Sequence, residues 1–190
     1  MPYIVKENRP NYDVINEKVM GLIPSDNPLL SQAHAVGCFT ACLIQEIKKL
    51  SNPSLNYGII YMTSSGTEIK LREYAAELAR TLPGNMESMA GDLNYSLSSL
   101  CWGLCGDAPD RDTARYCMRS FIKGALWRAF MTQVNYFTGE EYIFFAGVIT
   151  DIIDEMYRRR TANYEDAAME KNGDLWAKTV VQKWVDVQKP

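Results

Sequence analysis

Apolar residues recur along this chain at spacings of three and four, the interval that lines one face of an α-helix. Tyr12, Ile15, Val19 and Ile23 make such a face over residues 10–23, ahead of Pro24. Ser25-Asp26-Asn27-Pro28 then reads as a helix start, with side chains that accept unpaired N–H groups and a proline near the first turn. The pattern predicts a helix over 28–50, stopped by Ser51-Asn52-Pro53. Over 67–82 it places Ile69, Leu71, Tyr74, Ala75, Leu78 and Leu82 inward, closed by Pro83-Gly84. Leu93, Leu97, Leu100 and Leu104 define one stripe over 92–105, with Gly106 as C-cap. A further helix is expected from a cap at Asp110 or Asp112 to Tyr136, through Tyr116, Ile122, Leu126, Phe130 and Val134.

The sharpest start signal is Thr138-Gly139-Glu140-Glu141, because a threonine and a glutamate three residues on can cap two backbone N–H groups reciprocally. Its helix should bury Tyr142, Phe145, Ile149, Ile152 and Met156 and end on Arg158-Arg159-Arg160. A short helix fits 163–171, closed by Asn172-Gly173, and a last one fits 174–187 with Trp176, Val180, Val181 and Trp184 on one face. Within 55–65, Ile59-Ile60-Tyr61-Met62 suits either a short strand near 58–63 or a buried helical turn. Alternating strands and hairpin dipeptides are otherwise absent. The expected fold class is all-α: a single domain over 1–190 of about six to eight helices in an orthogonal or bundle-like array, with 174–190 readable as an extension.

The 190 residues are 47% hydrophobic and 23% charged, which excludes collagen-like and disordered classes. A net charge of -3 and a pI near 5.3 show no basic excess, so neither nucleic acid nor an anionic membrane is an expected partner. The apolar runs 35–44 and 142–153 are shorter than the ~20 residues a bilayer needs. No basic stretch with an apolar core opens the chain, so no secretory leader is expected. Five cysteines, an odd number, suit reduced thiols in a cytoplasm, the host's if the gene is viral.

Candidate chemistry lies in three groups. His34, Cys38 and Cys42 share a helix face at four-residue steps, and Cys101 and Cys105 repeat the spacing. Four such thiolates between two helices would hold zinc tetrahedrally; as single residues they would be small buried hydrophobes. Glu73, Glu77, Asp92, Asp151 and Asp154, with Glu155 beside them, are the set that could hold magnesium and through it a phosphate chain. All-α nucleotide pyrophosphohydrolases work in that way. The competing reading is solvated helix faces, with Glu68 or Glu73 paired to Lys70 and Arg72. The arginines at 158–160 complement a helix C-terminus or pair with Glu165, Asp166 and Glu170, in preference to an anion or RNA. Phosphate-cradling glycine loops, GxSxG and Cys/His nucleophile patterns are absent. Gly103, Gly124 and Gly147 sit inside predicted helices, where close helix approach would account for them.

Gly91-Asp92-Leu93-Asn94-Tyr95, then Tyr157-Arg158-Arg159, Tyr164-Glu165-Asp166 and Asn172-Gly173-Asp174, resemble the motifs of a family of small uncharacterised helical proteins common in phage and bacterial genomes. Pro2-Tyr3-Ile4 with Arg9, Tyr12 and Asp13 is similar to the family's start. Residues from about 25 to 72 and 107 to 140 look like insertions. The resemblance implies a helical fold and carries no activity over. It singles out Asp92, Asn94, Arg158, Arg159, Tyr164, Glu165 and Asp166 as a network clasping the middle of the chain to its tail, or as the rim of a ligand or partner surface. With the phage origin that the resemblance implies, the expectation is a phage-type intracellular binding protein with no catalytic residue and no cofactor. Its partner would be itself or a host or viral protein, with Trp176 and Trp184 either a self-association face or a core seal. A magnesium-dependent nucleotide pyrophosphohydrolase is the alternative.

Overall fold

The computed structural model describes residues 6–23, 28–53, 66–106 and 113–160. Among these residues there are six α-helices and no strand, an all-α fold. α1 (Arg9–Met20) has a proline at its start and ends at Gly21, whose N–H bonds back to Glu17. All four residues of its expected apolar face, Tyr12 to Ile23, are buried. α2 (Leu29–Ser51) has 14 of its 23 residues buried, so it is covered on more than one side. α3 (Gly66–Thr81) and α5 (Thr113–Met131) pack along it, and α1 packs on α3 and α4 (Met86–Gly106). α6 (Gly139–Arg160) follows a 3-10 turn at Val134–Tyr136. Backbone contacts divide the chain into one compact unit, Met1–Met156, and a second, Tyr157–Pro190, of which the described residues include only the last turn of α6.

One hydrophobic core serves the first unit. Phe39 and Leu43 of α2 are sealed among Leu71 and Leu78, Leu93 and Leu100, Ile122, Leu126 and Phe130, and Ile149 and Ile152. Phe130 is also the hub of an aromatic cluster, with ring centroids 5.6 Å from Trp127, 5.4 Å from Phe137 and 5.2 Å from Tyr142. Such tilted and edge-on contacts add to the area buried.

Several expectations are corrected. α4 starts six residues before Asp92, because Asn85 caps it: its Oδ1 accepts the Ser88 N–H at 2.8 Å. α5 ends at Met131 and gives way to the 3-10 turn instead of running to Tyr136. Ile69 is 52% exposed and Tyr142 45% exposed, each at the first turn of its helix, where the face has not yet met its neighbour. A side chain at Gly124 or Gly147 would meet open space, and one at Gly103 would meet only the flexible end of Met20. The close approach falls at Gly37 instead, where an added Cβ would lie 3.1 Å from both the Cβ and the carbonyl oxygen of Ala125. The strand at 58–63, the caps at 25–27, Asp110 and Asp112, and the helices 163–171 and 174–187 with Trp176 and Trp184 all lie outside the described residues. No described helix is long and apolar enough to cross a membrane.

Candidate functional site

Among the described residues, a dense set of polar side chains meets between α1 and α4. Arg9, Tyr12, Asp13 and Asn16 stand at i, i+3, i+4 and i+7 on α1, one side of the helix, and Asp92, Tyr95, Ser96 and Ser99 repeat that spacing on α4. The two ladders interlock. The Tyr12 hydroxyl donates to Asp92 Oδ2 at 2.8 Å and the Tyr95 hydroxyl to Asp13 Oδ1 at 2.9 Å. Asn16 Nδ2 donates to the Ser96 carbonyl at 3.0 Å, while Ser96 Oγ returns a bond to Asn16 Oδ1 at 3.2 Å. Tyr12 pairs with Asp92 and Asn16 with Ser96 across the same separation of 80 residues, so α1 and α4 run side by side in the same direction.

Burial, followed by the Asp92 acceptor, drives the Tyr12 phenol well above its ordinary value. Burial and Asp13 do the same to Tyr95. Both phenols therefore stay protonated donors at any physiological pH, and neither is a base or nucleophile. The Arg9 guanidinium lies 5.4 Å from the Tyr95 ring centroid, a cation–π contact. Asn94 takes the Ser98 hydroxyl at its Oδ1, and its Nδ2 is buried with no hydrogen-bond partner.

Of the predicted network, Asp92 and Asn94 thus lie on α4, with Asp92 tied to α1. Arg158 and Arg159 are in the last turn of α6, where the Arg159 side chain is not among the described ones. Tyr164, Glu165 and Asp166 lie outside the described residues. What sequence reasoning missed is the pairing of the α1 ladder with α4, although Arg9, Tyr12 and Asp13 are named by the resemblance. Its signal was present, since the polar steps at 9, 12, 13 and 16 duplicate those at 92, 95, 96 and 99.

The five carboxylates considered for magnesium have different surroundings. Asp92 is buried on Tyr12, Glu77 pairs with Lys18 across α1 and α3 at 2.7 Å, and Glu73, Asp151 and Asp154 are exposed. Among the described residues, no three His, Cys, Asp or Glu side chains are grouped to hold a metal ion. Cys38, Cys42 and Cys101 are buried reduced thiols, and the Cys105 side chain is not among the described ones.

Two further polar places lie on α2. Lys48 is 2% exposed, yet its ammonium donates to Glu141 Oε2 and to the Tyr136 carbonyl, each at 2.5 Å, and sits 5.1 Å from the Phe137 ring centroid. Glu141 completes the predicted capping box, accepting the Thr138 N–H at 2.7 Å while its own N–H reaches Thr138 Oγ1 at 3.2 Å. Although partial burial opposes ionisation, Lys48 and the Thr138 backbone outweigh it and hold the carboxyl below its ordinary value. One side chain therefore caps α6 and neutralises a buried cation from α2.

The second place is a hollow between α2 and α5, about 250 Å³ with its open mouth included, lined by His34, Gly37, Cys38 and Ala41 on one side and Ala125, Arg128 and Ala129 on the other. The Cys38 sulfur lies 3.5 Å from His34 Nε2. Burial first, then Cys42 and Glu68, push the Cys38 thiol up to about 11, with Arg128 opposing them. It is a protonated thiol at neutral pH.

A family model described as Domain of unknown function (DUF6899) matches residues 1–175, a range that includes both apparent insertions. No curated protein and no solved structure matches the chain.

Proposed function

Because the chain belongs to the DUF6899 family, we propose from its surface and polar interior that it is a phage-type intracellular protein that works by binding, without catalysis. The cytoplasm would be the host's if the gene is viral. Its partner would be a second copy of itself or a host or viral protein. The observation that carries this reading is the corner where α5 turns into α6. There Met131 is 59% exposed, Ile143 73% and Tyr142 45%, with Tyr136 also exposed. The Phe130–Tyr142 ring contact joins the end of α5 to the first turn of α6, the segments that carry Met131 and Ile143. Aromatic and methionine side chains are enriched at protein contact surfaces, and a grouped apolar patch is more informative than isolated exposed leucines. The chemistry-bearing residues meanwhile satisfy one another: Asp92 takes Tyr12, Asp13 takes Tyr95 and Glu77 takes Lys18.

Light scattering on a size-exclusion column, with the full chain and with Met131→Glu/Ile143→Glu, tests self-association; capture from infected-cell lysate with the same two proteins tests a foreign partner. Association or capture that the double variant loses supports the reading. A strict monomer that captures nothing beyond what the double variant captures overturns it.

A further inference from the structure

Two successive helices carry opposite charge. The 19 residues of α5 include four cations and no acid, while α6 before Arg158 includes five acids and no cation. Exposed Lys123 of α5 and exposed Asp151 and Asp154 of α6 take part in no ion pair among the described residues. Opposite charges displayed on two faces of one molecule, and left unpaired there, are complementary between two copies of it.

The same faces carry apolar groups and a notch. On α6, Ile143, Gly147, Asp151 and Asp154 stand at i, i+4, i+8 and i+11 and form one exposed stripe. On α5, Gly124 lies midway across the exposed arc, with Lys123 on one side, Phe121 and Arg128 on the other and Met131 two turns on. A side chain at either glycine would meet open space, so no described neighbour requires glycine there, although glycine weakens a helix. A helix laid across such a position approaches closely, because no Cβ holds it off.

Spacing selects how the faces would meet. Lys123 to Met131 and Ile143 to Asp151 are both steps of eight residues, about 12 Å along a helix. Laid antiparallel, the two helices bring Met131 over Ile143 and Lys123 to Asp151 in one register, with Asp154 a turn beyond. The parallel alignment instead sets Lys123 against Ile143 and Met131 against Asp151. We propose that the exposed face of α6 docks antiparallel on the exposed face of α5 in a second copy of this chain. The proposal rests on the self-association half of the reading above and adds the surfaces and their orientation.

Lys123→Glu makes the α5 face acidic, and Asp151→Lys/Asp154→Lys makes the α6 face basic. Analytical ultracentrifugation of the full chain and of each variant measures the dissociation constant. Each variant alone should self-associate roughly tenfold more weakly than wild type, since like charges then face each other. An equimolar mixture of the two should recover the lost association, because each supplies the face that the other needs. Gly147→Trp, which has room in the single chain, should melt like wild type yet lose association. All these positions are exposed, so the variants keep the fold. A mixture that associates no better than its components, or a Gly147→Trp chain that associates like wild type, overturns the proposal while leaving self-association in place. A wild-type chain that stays monomeric overturns it too, and leaves only a foreign partner for the reading above.

Discussion

Replacing Glu141 with glutamine isolates the role of the buried cation on α2. Glutamine retains an oxygen that can accept the Thr138 N–H, so the cap of α6 is largely kept, but the charge facing Lys48 is removed. Lys48 has 2% of its side chain accessible and Glu141 12%, so water cannot replace the lost carboxylate. Removing one partner of a buried ion pair costs about 3–5 kcal/mol. The lower end applies here because Lys48 keeps the Tyr136 carbonyl and the Phe137 ring. A loss of about 3 kcal/mol should lower the melting temperature by about 6–12 °C in a domain of this size.

Urea and thermal unfolding followed by circular dichroism measure the loss. Lys48→Met/Glu141→Gln should be more stable than Glu141→Gln alone, since the double change removes the stranded charge instead of leaving it. The pH dependence follows from the sign of the shift. The folded carboxyl ionises below its ordinary value of 4.5, so its contribution is complete above that pH and is lost as pH falls through the depressed folded value. Below that range wild type and Glu141→Gln should converge. A Glu141→Gln cost under about 0.5 kcal/mol at pH 7, or a double variant as unstable as the two single costs added together, would refute the argument.

Three further outcomes are expected from the same unfolding assays. Gly37→Ala should cost about 1–3 kcal/mol, because its methyl meets the Ala125 backbone, whereas Gly124→Ala, which meets nothing, should gain up to about 1 kcal/mol. Thr40→Val should be neutral or stabilising by about 1 kcal/mol, since Thr40 Oγ1 is buried with no hydrogen-bond partner and the two side chains share a shape. Tyr12→Phe should cost about 2 kcal/mol by depriving Asp92, 7% exposed, of its hydroxyl donor.

Helix faces were legible wherever a long apolar period decided burial. Leu93, Leu97, Leu100 and Leu104 are all buried, and Thr138 and Glu141 cap α6 as their spacing requires. Local signals also failed in identifiable ways. Asn85, just after Pro83-Gly84, caps a helix that begins at Met86, six residues before the start expected from the leucine stripe. Glycine positions alone did not reveal a close approach, because that depends on which helix lies opposite; only Gly37 has Ala125 there. The polar seam is half legible: Asp92 stands out and Arg9, Tyr12 and Asp13 resemble the family's start, but nothing in the sequence pairs Tyr12 with Asp92. A tyrosine serves both purposes, burying its ring while its hydroxyl seeks an acceptor. Lys48 gave no sequence signal, since its partner lies 93 residues away and a lysine in a last turn ordinarily points to water.

The constant 80-residue offset between α1 and α4 has a kinetic consequence. Closing a segment that long carries an entropy cost on the order of 4 kcal/mol, so α1 should dock on α4 after α2 has gathered α3, its neighbour in sequence. What it then finds is a template of hydroxyls and carboxylates that accepts one alignment, since a shift by one residue would set Tyr12 against Leu93 and strand Asp92. The first helix is thus held like a key in a warded lock, and a synthetic peptide of its sequence should be able to complement a chain from which it has been cut away.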